Sequence, residues 1–205
     1  MSIRAIAWDV DGTLVDSEPL HHRALLAGSA QYGVDLSDLP DQAFRGVHMG
    51  NVWTILRPRL PAMLGEAEWI EAINRHYVAH RHELVAMPQA VETIRAFAAM
   101  GLPQVCVSNS ARMIVDANLD ALGVAPDMAF SISLDDVEKG KPDPWPYSAA
   151  CRRLGLPPAD VLAVEDSRTG IASAVAAGMP CAALGFTSGQ GYRGISALGE
   201  LLAFA

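Results

Sequence analysis

Short apolar runs alternate with helical patterns along most of the chain. The runs are rich in β-branched or small residues and predict buried strands; they are IRAIAWDV, QVCVS, VLAVE and CAALGF, with a weaker one at AFSIS. Between them lie segments of helical periodicity, several of which end at a glycine suited to a helix C-terminus; they include AVETIRAFAAMG, ARMIVDANLDALG, DPWPYSAACRRLG and TGIASAVAAG. Because strand and helix alternate from Val91 onward, the pattern predicts an α/β fold with an open, mostly parallel sheet.

One long segment interrupts this alternation. Residues 17–87 contain no convincing strand but include helical stretches such as PLHHRALLAGSAQYG and EAEWIEAINRHYVAHRHEL. We therefore predict an inserted helical domain over 17–87, and a core domain formed by 1–16 and 88–205. The ends of the insert, DSEP and AMP, carry prolines and small or polar residues at plausible hinge positions.

Composition and charge narrow the class of protein. The 205 residues are 51% apolar and 19% charged, which is typical of a globular chain that buries a core. A formal net charge of −8 without any basic block argues against a nucleic-acid partner. The first residues do not resemble a secretory signal and no run is typical of a membrane span, so we expect a cytoplasmic protein with no membrane partner.

The cysteines indicate neither a disulfide framework nor a zinc site. Cys106, Cys151 and Cys181 are odd in number, far apart and without CxxC spacing. We expect them to be buried thiols that pack as small hydrophobic side chains.

The first apolar run ends in two carboxylates, Asp9 and Asp11. In a strand, residues i and i+2 point the same way, so both side chains can face one site beyond the carboxyl end of that strand. Two like charges held together cost free energy unless solvent separates them or a cation bridges them. Gly12 then relaxes the backbone geometry of a turn, and the hydroxyl of Thr13 can fix a carboxylate. A loop of helix-capping aspartates is the alternative interpretation.

Three later segments also place polar residues at strand ends. Ser108 and Asn109 follow QVCV, where a hydroxyl, an amide and helix N–H groups could hold an anion, or where the serine is an ordinary N-cap. Lys141 in EKGKPDP is one of only two lysines in the chain; the alternative is a solvated surface lysine. Glu165 and Asp166 end the run LAVEDS, and a capping aspartate is again the alternative.

An α/β sheet would gather all four segments at one edge. A site built from several carboxylates is suited to a hard cation that keeps several waters, so the sequence predicts Mg²⁺ before Zn²⁺. Such a cation would also resolve the repulsion between the first two aspartates.

The same segments carry a resemblance to a known family. DVDGTLVDSE, VSNS, KGKPDP and VEDSRTGIASAVAAGM resemble, in order and in spacing, the four motifs of the haloacid dehalogenase superfamily. The position of the insert resembles the subclass with a helical cap, which includes phosphoglycolate phosphatase, β-phosphoglucomutase and sugar-phosphate phosphatases. The resemblance implies a doubly wound, mostly parallel Rossmann-like sheet core with an inserted α-helical cap domain.

The resemblance also implies a role for each motif residue. Asp9 would be the nucleophile that forms an aspartyl-phosphate, and Asp11 would protonate the leaving alcohol and then activate water. Mg²⁺ would lie on the Asp9 carboxylate, the Asp11 main-chain carbonyl and Asp166, with Glu165 supporting the metal shell through water or Lys141. The implied phosphate- or substrate-binding residues are Thr13, Ser108, Asn109 and Lys141 in the core and His21, Arg45 and His48 in the insert.

The activity implied is Mg²⁺-dependent hydrolysis of a small phosphate monoester, either a sugar phosphate or a phosphoglycolate-like compound. Asp11 favours phosphoryl transfer over dehalogenation, and the absence of lysine from the insert argues against phosphonate cleavage. The expected partner is a small phosphorylated metabolite, and no coiled-coil seam indicates more than a monomer or a weak homodimer. A phospho-ligand binding protein without turnover is an alternative from another class.

A phosphosugar mutase similar to β-phosphoglucomutase is the nearest competing interpretation. His21 lies where that enzyme has a cap-proximal histidine. Met49 and Ala111, however, stand where the mutase has an arginine and a lysine, although Arg45 or Arg112 could substitute.

Polar residues of the insert have two interpretations. His21, Arg45, His48 and Asn51 flank its start or the turn FRGVHMGN, which resembles the specificity loop of such caps; the alternative is loop polarity that faces solvent. His76 and His80 have metal-chelating i, i+4 spacing, but a solvated helix face is the preferred interpretation.

Overall fold

A computed structural model describes residues 3–41 and 43–204. The chain divides into two compact units, a core unit of Met1–Asp16 with Val85–Ala205 and a cap unit of Ser17–Leu84. The core unit resumes at residue 85 rather than at residue 88, because a short strand that begins there pairs with residues 15–16.

The elements are numbered in chain order. The strands are β1 Ala5–Trp8, β2 Val15–Asp16, β3 Val85–Ala86, β4 Gln104–Val107, β5 Phe130–Ile132, β6 Val161–Glu165, β7 Cys181–Leu184 and β8 Tyr192–Ile195. The α-helices are α1 Glu18–Ala30, α2 Met49–Leu56, α3 Glu66–Ala79, α4 Ala90–Ala99, α5 Arg112–Leu122, α6 Trp145–Leu154 and α7 Arg168–Ala176. Short 3₁₀ helices span Arg57–Arg59, Arg81–Glu83, Ala125–Asp127, Leu134–Asp136, Pro158–Asp160 and Leu198–Phe204.

The core unit is built on a six-stranded parallel sheet in the order β5-β4-β1-β6-β7-β8. All five apolar runs form strands of this sheet, so the predicted α/β class is confirmed. The chain adds β4 and β5 on one side of β1 and then returns to add β6, β7 and β8 on the other side. β8 was not predicted, because its sequence YRGI contains an arginine and a glycine and is typical of a loop.

One face of the sheet packs on α6 and α7. Alternate residues of the inner strands point to this face, as the twofold period of a strand requires; they include Ala5, Ala7, Val105, Val107, Val161 and Ala163, which cluster with Tyr147, Ala150, Ile171 and Ala174 of the helices. On the other face, the buried Trp8 ring lies 6.2 Å from the ring of Phe97 in α4. The Trp8 indole N–H donates to Gln104 Oε1 at 3.0 Å, so its buried polar group is satisfied.

The four helices predicted for the core are α4 to α7, and α5 and α6 end at Gly123 and Gly155 as the pattern indicated. Cys106, Cys151 and Cys181 are buried free thiols, as expected. Within residues 3–41 and 43–204, no helix is both long enough and apolar enough to cross a membrane.

The cap unit is helical, as predicted, and α1 packs along α3. Trp69 of α3 is fully buried and donates from its indole nitrogen to Ser29 Oγ of α1 at 3.0 Å. The helix α2 was not predicted, and the predicted turn FRGVHMGN covers its first three residues. It begins at residue 49 because the His48 side chain accepts a hydrogen bond from the Gly50 N–H at 3.1 Å and caps the first turn.

Candidate active site

The predicted site residues of the core unit meet at one edge of the sheet. Asp9 follows β1, Ser108 follows β4, and Glu165 ends β6. Strands β4, β1 and β6 are neighbours, and the order of strand addition reverses at β1. A parallel sheet opens a crevice beyond the carboxyl ends of its strands at such a reversal, and this is where ligands bind in open α/β folds.

A tight turn carries the chain away from β1. The Val10 carbonyl accepts from the N–H groups of Thr13, Leu14 and Val15 at 3.3, 2.9 and 3.2 Å. Gly12 has a φ of +85°, a conformation that disfavours side chains. A Cβ at Gly12 would lie only 2.2 Å from Asp166 Oδ2, so glycine also allows that carboxylate to approach the turn.

The Asp9 carboxylate is buried and held at both oxygens. Oδ1 accepts from the Lys141 ammonium at 2.7 Å, and Oδ2 accepts from the Thr13 hydroxyl at 3.0 Å. Burial raises the pKa of Asp9, the charge of Lys141 opposes that rise, and the nearby Asp11 charge adds to it. The Thr13 hydroxyl therefore fixes a carboxylate, as the sequence predicted. The same hydroxyl also lies 3.2 Å from Asp166 Oδ1.

Lys141 is the buried cation of the site, not a solvated surface lysine. Its side chain is 3% exposed, and its ammonium donates to Asp9 Oδ1 at 2.7 Å, the Val107 carbonyl at 2.7 Å and Glu165 Oε1 at 2.6 Å. Three acceptors match the three protons of an ammonium group. Burial opposes the charged form, but attraction to Asp9 and Glu165 outweighs it and raises the pKa of Lys141, so the side chain stays cationic.

Glu165 lies behind Lys141 and is fully buried. Besides the lysine, its Oε1 accepts from the Tyr147 phenol of α6 at 2.6 Å. Burial raises the pKa of Glu165 to about 7, with a further rise from the charge of Asp9. Sequence reasoning did not identify Tyr147, because nothing in the helical pattern DPWPYSAACRRLG distinguishes a packing tyrosine from one that holds a carboxylate.

A divalent cation fits this cluster. Carboxylate oxygens of Asp9, Glu165 and Asp166 lie within 4.8 Å of one another, and three carboxylates against the single ammonium of Lys141 leave two negative charges. Burial and the charge of Asp9 raise the pKa of Asp166 to about 7, so the cluster resists full ionisation without a counter-charge. The hard oxygen donors favour Mg²⁺ over softer metals.

Asp11 is held by three donors from the segment after β4. Ser110 Oγ donates to its Oδ2 at 2.7 Å, Ser108 Oγ to the same oxygen at 3.3 Å, and Asn118 Nδ2 to its Oδ1 at 3.0 Å. Ser108 was predicted for the site, whereas Ser110 and the fully buried Asn118 of α5 were missed. Ser110 lies in the motif VSNS but was assigned no role, whereas Asn118 has no sequence signal because it belongs to an otherwise amphipathic helix pattern.

The Asn109 amide, for which the sequence predicted an anion-binding role, makes two hydrogen bonds to the Lys141 main chain. Its Oδ1 accepts from the Lys141 main-chain N–H at 2.8 Å, and its Nδ2 donates to the Lys141 carbonyl at 2.9 Å. The amide therefore holds the loop that carries the lysine.

Arg112, one of the two arginines that could substitute for the mutase arginine, is paired with carboxylates of the core unit. Its guanidinium binds Asp116 at 3.2 Å, and it also binds Asp136 and the Ser131 side chain. These contacts join α5 to the end of β5.

The remaining predicted residues belong to the cap unit and are described by their contacts there. The His21 ring lies 4.4 Å from the ring of Tyr77, and Arg45 lies 3.9 Å from the Glu18 carboxylate. His48 caps α2, as described above. The His76 and His80 rings stack face to face, with their centroids 4.0 Å apart and an angle of 21° between their planes. This is a stacking arrangement and not the arrangement of two ligands around a shared metal.

Comparison with known proteins agrees with the sequence resemblance. Residues 3–178 match the family model described as haloacid dehalogenase-like hydrolase. The chain is 34% identical over 199 residues to phosphoglycolate phosphatase of Yersinia pseudotuberculosis, covering 93% of this chain and 84% of that protein. It is 32% identical over 205 residues to phosphoglycolate phosphatase of Thiobacillus denitrificans, covering 93% and 87%.

Solved structures give the same result. The crystal structure of CbbY from Rhodobacter sphaeroides in complex with xylulose-1,5-bisphosphate superposes with a TM-score of 0.88 at 28% identity, covering 98% of both chains. The family model spans most of the chain, and the two curated relatives are phosphatases. The chain belongs to the haloacid dehalogenase-like hydrolase family and is a phosphatase.

Proposed function

We propose that the protein hydrolyses a small phosphate monoester in a Mg²⁺-dependent reaction that passes through an aspartyl-phosphate on Asp9. The observation that carries this proposal is the fixed Asp9 carboxylate, with Lys141 at 2.7 Å from one oxygen and Thr13 at 3.0 Å from the other. A nucleophile held in one orientation saves the entropy of alignment in the reaction.

The reaction has two halves. In the first, an Asp9 oxygen bonds to phosphorus, the bond from phosphorus to the ester oxygen breaks, and the leaving alcohol takes a proton from Asp11. In the second, Asp11 removes a proton from water, the water oxygen bonds to phosphorus, and the phosphorus bond to Asp9 breaks to release phosphate. Asp11 supports both halves because it lies two residues from the nucleophile and is held in place by Ser108, Ser110 and Asn118.

Lys141 and Ser108 are the proposed holders of the transferring phosphoryl group. The lysine ammonium lies beside the Asp9 oxygen, where negative charge on the phosphoryl oxygens would otherwise repel the carboxylate. Glu165 acts through Lys141, since its Oε1 is bonded to that ammonium and to Tyr147. Asn109 acts on the main chain of Lys141.

The proposed metal-holding groups are the Asp9 and Asp166 carboxylates together with the main-chain carbonyl of Asp11. Bound Mg²⁺ would supply positive charge that offsets the negative charge of the phosphoryl oxygens during transfer. The close approach of Asp166 to the turn, which Gly12 permits, supports this donor set.

The proposed substrate is a sugar phosphate or a phosphoglycolate-like compound. Two relatives are named phosphoglycolate phosphatase, and CbbY was crystallised with xylulose-1,5-bisphosphate. His21, Arg45 and His48 are the proposed cap residues for contact with the leaving group. We do not favour the mutase alternative, because Met49 and Ala111 stand where the mutase has an arginine and a lysine, and Arg112 is bonded to Asp116 and Asp136.

The test is phosphate release from a panel of small phosphate esters, with and without Mg²⁺. We expect metal-dependent turnover that is lost in Asp9→Asn, and a ranking that places phosphoglycolate or a sugar phosphate first. Absence of release from every ester, with the protein folded and Mg²⁺ bound, would reject the proposal in favour of a mutase or a phospho-ligand binding protein. An Arg45→Ala, His48→Ala double variant with an unchanged ranking would remove those two residues from substrate selection.

A further inference from the structure

The Asn109 side chain and the Lys141 main chain form a two-way contact, named here the Asn109 clamp. The amide oxygen accepts from the Lys141 N–H at 2.8 Å, and the amide nitrogen donates to the Lys141 carbonyl at 2.9 Å. A primary amide offers a carbonyl acceptor and an N–H donor side by side, which matches the N–H and C=O groups of one main-chain residue. The contact joins residues 32 positions apart, in the loops that follow β4 and β5.

We infer that Asn109 is a positioning residue that sets Lys141 against Asp9, and that it makes no direct contact with the phosphoryl group. This inference rests on the proposed function, since Lys141 matters to the reaction only if the phosphoryl group is transferred to Asp9.

Two groups at and just after the carboxyl end of β4 hold Lys141, one at its main chain and one at its ammonium. Asn109 holds the main chain, and the Val107 carbonyl accepts from the ammonium at 2.7 Å. A lysine stem has several rotatable bonds, and fixing only the ammonium would leave the loop free to shift. Because one anchor is Val107 at the end of β4 and the other is Asn109 in the loop that follows it, displacement of the amide should change the distance from the ammonium to Asp9 Oδ1.

Gly140 provides independent support for the clamp. A Cβ at Gly140 would lie 2.6 Å from Asn109 Oδ1 and 2.8 Å from Leu134 Cδ1. The absence of a side chain at this position lets the amide lie flat against the loop. An alanine here would displace the Asn109 amide without removing any polar group from the site.

The clamp also accounts for the fixed distance between the two groups proposed to hold the phosphoryl group, the Ser108 hydroxyl and the Lys141 ammonium. Ser108 is the residue before Asn109, and its N–H donates to the Ile132 carbonyl of β5 at 2.9 Å. The Ser108 hydroxyl and the Lys141 ammonium come from different loops, and the Asn109 amide is one of the groups that join those loops.

The test compares Asn109→Ala, Gly140→Ala and the double variant, with Lys139→Ala as the matched control. Lys139 lies in the same loop, but its side chain is 73% exposed and its nearest acid is Asp143 at 3.9 Å. The readouts are kcat/KM for an aryl phosphate with Mg²⁺, the inhibition constant of inorganic phosphate, and hydrogen exchange of the Lys141 N–H followed by NMR. Circular dichroism and thermal unfolding establish that each variant is folded.

We expect Asn109→Ala and Gly140→Ala each to lower kcat/KM by about 10- to 100-fold, since a displacement near 1 Å costs about 100-fold in rate. The Lys141 N–H should exchange faster in both variants. The double variant should be no slower than Asn109→Ala alone, because both substitutions act on one contact. Lys139→Ala should match the wild type.

Three results would overturn the inference. If Asn109→Ala weakens phosphate inhibition and turnover while Gly140→Ala leaves both unchanged, Asn109 touches the phosphoryl group directly. If the Lys141 N–H exchanges faster in both variants but kcat/KM is unchanged, the position of the Lys141 ammonium does not depend on the clamp. If exchange is unchanged in both variants, the clamp is absent, and this holds even if the wild type releases no phosphate and the proposed function itself fails.

Discussion

Gly170 lies in the first turn of α7, directly against the buried carboxylate of Glu165. A Cβ at this position would lie 1.9 Å from Glu165 Cδ and 2.0 Å from Oε1. In an ordinary helix, replacing glycine by alanine stabilises the fold. At this position we predict the opposite sign for Gly170→Ala.

The magnitude follows from three contributions. Helix propensity favours alanine by about 1 kcal/mol. Overpacking a filled site costs about 1–3 kcal/mol. Glu165 cannot retreat freely, because Lys141 at 2.6 Å and Tyr147 at 2.6 Å hold its Oε1. Disrupting a buried ion pair costs up to about 3–5 kcal/mol, and a partial displacement costs a fraction of that. The net expectation is a loss of about 2–4 kcal/mol in the free energy of unfolding.

Urea denaturation of wild type and Gly170→Ala measures this loss, and phosphate release measures its effect on Lys141. The matched control is Thr169→Ala in the same helical turn, where the side chain is exposed. The control should be as stable as the wild type or slightly more stable. A Gly170→Ala variant of equal or greater stability than the wild type would refute the placement of Glu165 against α7.

Three further predictions concern single contacts. Gly12→Ala, which forces a side chain at φ +85° against Asp166, should raise the Mg²⁺ concentration needed for half-maximal phosphate release; an unchanged metal titration would count against Asp166 as a metal-holding group. Tyr147→Phe keeps the ring but removes the donor to Glu165, so urea denaturation should show a loss of about 1–3 kcal/mol, and no loss would mean that the phenol contributes nothing. Burial raises the pKa of Asp136, but hydrogen bonds outweigh burial and bring the pKa below 3.8. The contribution of the Asp136 carboxylate to the free energy of unfolding should therefore be full above pH 3.8 and fade as the pH falls further. The difference in unfolding free energy between wild type and Asp136→Asn should therefore shrink with acid, and a constant difference would contradict the sign.

The strand-end residues of the site were predictable from sequence for a physical reason. Parallel strands bring their carboxyl ends to one edge, so Asp9, Ser108 and Glu165 had to lie on one edge once their runs were identified as strands. They lie close together because β4, β1 and β6 are neighbours in the sheet. The position of Lys141 was less determined, since a loop lysine is usually solvated. Its burial results from three acceptors that only the folded chain brings together.

The residues that donate hydrogen bonds to the site carboxylates from neighbouring helices could not be predicted in this way. Asn118 and Tyr147 lie within helices, and their partners Asp11 and Glu165 are 107 and 18 positions away. Helical periodicity reports which face is buried but not which buried polar group meets which carboxylate. Asn109 shows the same limit, because its sequence position beside Ser108 predicts an anion site while its amide holds the lysine loop.

The most direct test is to look for the phosphoryl group on Asp9 itself. Wild type and Asp9→Asn are mixed with an isotopically labelled phosphate ester and Mg²⁺, quenched in acid on the millisecond scale, and digested for mass spectrometry. We predict a hydroxylamine-sensitive phosphoryl group on the peptide that contains Asp9, formed and lost at rates compatible with turnover, and its absence from Asp9→Asn together with the loss of phosphate release. Phosphate release by Asp9→Asn at the wild-type rate, with no phosphoryl group on the wild-type peptide at any time point, would contradict nucleophilic catalysis by Asp9.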